Sequence, residues 1–174
     1  MSMKRTILTW GPIVGGVSIC VMLATLQLSD RIGFEHSFVL GYTALVLSAL
    51  LIFPGIRSYR DNVAGGQITF GKGFLVGIGI ALVAAVCYGV AWAFVYVNFM
   101  PDFCDKYAAF AIDQARAAGA SAEKIAEVTA QTEDMKRLMN NPVTNAALAA
   151  LEPFPVGLLA SAISAGILRR KRKA

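Results

Sequence analysis

Residues 54–74 read Pro-Gly-Ile-Arg-Ser-Tyr-Arg-Asp-Asn-Val-Ala-Gly-Gly-Gln-Ile-Thr-Phe-Gly-Lys-Gly-Phe, a short polar link between two long apolar runs. Before it, Ser37 to Ile56 is 20 uncharged residues; after it, Phe74 to Met100 is 27. A helix crosses the ~30 Å hydrocarbon core of a bilayer with ~20 residues, so both runs are long enough to span. The link therefore turns the chain around at a membrane surface. Composition agrees: 56% apolar residues and a mean hydropathy of +0.59 in a 174-residue chain exceed what a soluble core and surface need.

Two further runs complete the set. Thr6 to Leu28 has 23 residues behind Lys4 and Arg5, which together resemble the charged and hydrophobic regions of a secretory signal. The run exceeds a signal's ~7–15-residue core, and no small-x-small cleavage site follows it, so an uncleaved anchor is expected. The last run, Pro153 to Leu168, has only 16 uncharged residues, about 24 Å of helix. Extending it back to ~20 residues reaches Ala149 and places Glu152 about one turn inside the outer boundary. The expected fold is all-α, an integral membrane four-helix bundle with spans near 6–28, 37–56, 74–99 and 149–168 forming a single membrane domain.

Basic flanks orient the spans, because cytoplasmic loops carry an excess of Lys and Arg. With the N-terminus inside, the inner side receives ten basic residues against Asp61 alone, including Arg57, Arg60, Lys72 and the tail from Arg169 to Lys173. The outer side receives six basic and ten acidic residues, and the two balances, +9 and −4, recover the net +5. Both termini are expected in the cytoplasm. A basic charge spread over span ends is explained by insertion and does not point to nucleic acid.

Residues 102–141 are polar and alanine-rich. Asp102 to Ala118 reads as a helix with Phe103, Tyr107 and Phe110 on one face, stopped by Gly119. Ser121 is a fit N-cap for a second helix, which Asn140, Asn141 and Pro142 end. This predicts an extracytoplasmic helical hairpin between the third and fourth spans. Its apolar faces can pack together, lie on the membrane or meet a partner.

Small residues recur every four positions along the third span: Gly73, Gly77, Ala81, Ala85, Gly89 and Ala93. Such a stripe lets another helix approach closely, a main source of helix association in lipid. Gly157, Ser161 and Ala165 repeat the pattern, and Gly11 and Gly15 offer it again in the first span. The stripe serves either packing within one bundle or a homodimer seam.

Candidate chemistry is sparse. Arg57 and Asp61 are one helical turn apart and suited to pair, with Tyr59 at headgroup depth. Arg57, Tyr59, Arg60 and Lys72 are candidates for an anionic lipid headgroup or a cytoplasmic partner. Glu152 is a candidate intramembrane ionisable group, since a charge within a span is costly and by default functional. Tyr96, Asn98, Arg31 and His36 lie on the same side as candidate partners. A single histidine rules out a multi-histidine metal site within one chain. The three cysteines, Cys20, Cys87 and Cys104, imply no disulfide framework. No motif for a cofactor, a metal or nucleophilic catalysis is read.

The polar link, together with Tyr88, Met-Pro-Asp-Phe at 100–103, and Phe-Pro-Val-Gly-Leu-Leu ahead of the basic tail, resembles a bacterial membrane family known as domain of unknown function 4199. That resemblance implies a small bacterial inner-membrane protein with four spans and no assigned activity, and supplies no catalytic residues. The expectation is a structural or accessory component, not an enzyme, that binds membrane lipid and either itself or another membrane protein. The alternative is a small transporter or ion-coupled carrier using Glu152.

Overall fold

The structure is a computed structural model that describes residues 2–170, the side chains of 29–35, 37 and 38 excepted. Seven helices run through the described residues: α1 (Met3–Ala49), α2 (Ile52–Asn62), α3 (Phe70–Phe99), α4 (Phe103–Ala117), α5 (Ala122–Met139), α6 (Pro142–Leu151) and α7 (Pro153–Leu168). Four stretches are long and apolar enough to cross a membrane: Met3–Leu28, Val39–Asn62, Phe70–Phe99 and Pro142–Leu168.

Helix α1 carries the first span and most of the second. A straight helix of its 47 residues would be about 70 Å long. Instead its arms double back: Met22 and Leu45 share one buried cluster with Tyr88, and Trp10 near the start packs on Gly55 of α2. The α1–α2 break at Leu50 and Leu51 has a cause in Pro54, which lacks the N–H that would bond the Leu50 carbonyl; Phe53 N–H donates there instead at 3.1 Å.

Helix α3 is the axis. Its first half packs on the first arm of α1, where Gly11 lies under Val83 and Gly15 under Cys87. Its small-residue stripe packs on α7 and α6: Gly73 meets Ala165, Gly77 meets Ser161, Ala81 meets Gly157, and Gly89 meets Ala146 and Ala150. Its remaining face, with Leu82, Val86, Val90 and Phe94, is exposed, as are Leu159, Ile163 and Ile167 of α7. Large apolar side chains pointing outward and small ones inward are what a bundle solvated by lipid requires. Buried hydroxyls bond within their own helices, Ser18 to the Val14 carbonyl at 3.0 Å and Ser161 to that of Gly157 at 2.7 Å. Those two hydroxyl donors are thereby satisfied within the apolar bundle.

Between α2 and α3 the chain reverses through Gly65 and Gly66, whose φ of 65° and 81° favour glycine. Thr69 caps α3, accepting from Lys72 N–H. The Arg170 N–H donates to the Ile68 carbonyl at 3.0 Å, so α7 ends against the polar link. At the other end α4 and α5 lie antiparallel, with Gly119 at φ 70° between them and Lys136 of α5 paired to Asp105 of α4.

The fourth apolar stretch starts earlier than its uncharged run implies. Asn141 accepts from the N–H groups of Val143 and Thr144, and Pro142 occupies the first helical turn, where no N–H is needed. The same residues that end α5 thus begin α6, and the stretch runs from Pro142 where 149 was expected.

Candidate functional site

Glu152 stands at the junction of α6 and α7, in helical conformation at φ −63° and ψ −53°. The junction is set by Pro153 and Pro155, which cannot donate to the carbonyls of Ala149 and Leu151. Glu152 N–H itself turns to Ala149 O at 3.3 Å. Glu152 lies ten residues, about 15 Å of helix, from the start of the fourth apolar stretch at Pro142 and sixteen residues, about 24 Å, from its end at Leu168.

Glu152, an exposed residue, is among those lining a cavity of about 340 Å³. The cavity's walls come from both arms of α1, from the second half of α3 and from α6, and Met135 and Met139 of α5 close over it with Phe103 and Tyr107 of α4. Tyr88, Tyr42 and Trp92 share the space with Glu152. Trp92 is held edge-on to Phe103, ring centroids 5.2 Å apart. Among the described residues Glu152 makes no ion pair and no side-chain hydrogen bond.

The partners expected for Glu152 go elsewhere. Tyr96 turns its hydroxyl to Cys104 Sγ at 3.4 Å, Asn98 donates to the Phe94 carbonyl at 2.8 Å, and His36 is exposed. The Arg31 side chain lies outside the described residues. Tyr88, Tyr42 and Trp92 were not singled out as site residues, because only the doubling back of α1 brings Tyr42 opposite Tyr88. A lone tyrosine in the middle of an uncharged span was the one available signal.

At the opposite end, Arg60 holds Asp61 through Nε at 2.7 Å and its terminal nitrogen at 3.2 Å, and Arg57 adds a contact at 3.5 Å. Arg60 is buried while Arg57 and Lys72 are exposed. Tyr59 packs against the apolar cluster of Ile52, Ile56 and Ile68. The small-residue stripe of Gly73, Gly77, Ala81, Ala85 and Gly89 is taken up by buried positions within the chain, and Ala93 is half-buried. Among the described residues no three His, Cys, Asp or Glu side chains gather as a metal would need.

The fold and its cavity define a multi-pass helical membrane protein. Residues 9–170 match the family model described as protein of unknown function (DUF4199), and the chain belongs to that family. No curated protein and no solved structure matches it.

Proposed function

We propose that this chain is a bacterial inner-membrane protein with both termini in the cytoplasm, a non-enzymatic binder of a small molecule in the cavity beside Glu152, and that it works as a carrier. Supporting this reading is an acidic residue, without a partner among the described residues, in the lining of a cavity at a proline-broken helix. Broken helices whose freed backbone lines a cavity are where transporters bind substrate and coupling ions. The orientation rests on the charge balance and on the Arg170–Ile68 bond, which brings Arg169 and Arg170 to the side of Arg57 and Lys72. On that face the exposed cations serve anionic headgroups of the inner leaflet. The α4–α5 pair is then extracytoplasmic and roofs the cavity.

Reconstitution tests the carrier. Proteoliposomes loaded with a pH-sensitive dye are expected to pass protons down an imposed gradient, and Glu152→Gln to stop it. Equal flux through both proteins would remove Glu152 from the mechanism.

A second reading, an accessory component that binds a partner, is favoured by the exposed apolar residues Leu138 and Val143 at the α5–α6 corner. The α3 stripe is a poor candidate for a homodimer seam because α6 and α7 occupy it. Crosslinking from 138 and 143 in native membranes is expected to capture a neighbour if this reading holds, and no product if it does not.

A further inference from the structure

The chemistry of the cavity walls narrows what enters it. A volume of about 340 Å³ is at the small end of the range for small-molecule sites, ~300–1,000 Å³. Among the described residues the lining is rich in aromatic rings and thioethers, with one formal charge. Trp92, Tyr88 and Tyr42 present π systems, whose negative faces attract cations. Met22 and Met139 add polarizable sulfur that adapts to irregular apolar shapes. Among the described residues no Lys or Arg lines the space, so none of them would offset Glu152 against an anion. An acyl chain would fill the apolar part but offer the Glu152 carboxylate no counter-charge.

We propose that the cavity binds a compact organic cation with apolar substituents, an amine or quaternary ammonium, with Glu152 as counter-ion and Trp92, Tyr88 and Tyr42 as its aromatic cage. This assignment rests on the reading of the cavity as a ligand site. A carboxylate supplies the charge that a quaternary nitrogen cannot find through hydrogen bonds, and ring faces replace its water. Tyr88 is buried and Tyr42 exposed, so the cage has a fixed wall and an open one.

The test uses the full chain in lipid nanodiscs and two probes of the same shape, benzyltrimethylammonium and its uncharged carbon isostere neopentylbenzene. Trp10 packs on Gly55, away from the cavity, so Trp10→Phe leaves Trp92 as the sole tryptophan reporter. Expected are saturable quenching by the cation, an affinity about tenfold or more lower in Glu152→Gln, partial recovery in Glu152→Asp, and weaker binding of the isostere that Glu152→Gln leaves unchanged. Equilibrium dialysis of both probes against the wild-type chain gives the cation–isostere comparison without any substitution. If the two probes bind equally well and Glu152→Gln alters neither, the cation assignment is overturned while the ligand site stands. If neither probe binds saturably to the wild-type chain, the ligand site itself is lost.

Discussion

Gly89 of α3 lies so close to the Ala146 carbonyl of α6 that the space a Cβ would need is already filled by that oxygen. A backbone carbonyl cannot swing aside as a side chain does, so Gly89→Ala must push α6 away. The expected cost is about 3 kcal/mol, at the upper end for overpacking. Gly16→Ala, where nothing lies within 4 Å, is expected to be neutral or slightly stabilising. Thermal unfolding of the two variants in the same detergent checks the contrast, and equal melting temperatures would contradict the close approach.

Gly77 and Ser161 form a second such pair, a Cβ at 77 falling 2.7 Å from Ser161 Cβ. Here the obstacle is a side chain. Gly77→Ala is expected to destabilise by about 2 kcal/mol, and Ser161→Gly to restore about 1 kcal/mol of it in the double variant. A double-mutant cycle by denaturant titration reads the coupling, and simple additivity would show that the helices do not meet there.

The Asp105 carboxylate holds the Lys136 ammonium above the usual lysine range. A raised folded-state pKa means the pair stabilises α5 on α4 at pH values below lysine's ordinary ~10.4, and the contribution is lost as pH rises through the folded value. Helical signal from the wild type is therefore expected to fall more steeply above about pH 10 than that of Lys136→Met, and less so in high salt. Parallel curves would dismiss the pair as a support of this region.

Topology is open to labelling. Gln67 and Ala118 are exposed residues at opposite ends of the bundle. In intact cells a membrane-impermeant maleimide is expected to modify Ala118→Cys and spare Gln67→Cys, each in a chain whose three native cysteines are replaced. Inverted vesicles should reverse the pattern. The opposite result would invert the proposed orientation.

Much of this architecture was legible because hydrocarbon is a strict solvent. Uninterrupted uncharged runs such as Phe74 to Met100 leave a helix as the only economical conformation. The four-residue spacing from Gly73 to Gly89 was equally plain. What stayed hidden depended on contacts across the sequence. Asn141 was read as the stop of one helix and not also the cap of the next, so α6 ahead of Glu152 went unread. Tyr96 was a reasonable partner for Glu152 by depth, yet its hydroxyl has Cys104 one helix away. The cavity itself had no signature, since its walls at Met22, Tyr42, Tyr88 and Glu152 meet only after α1 folds back.

The α3 axis divides the molecule by depth. From Gly73 to Ala84 it is gripped by α1, α2 and α7 around Ile52, Ile56, Val76 and Ile80, while farther along Tyr88 and Trp92 line the cavity and Gly89 holds α6. The bundle is thus a cup, with a solid foot beside the polar link and a hollow bowl beneath α4 and α5. The glycines of the lower stripe keep that foot solid, since at Gly73 and Gly77 only a missing side chain lets α7 lie against α3.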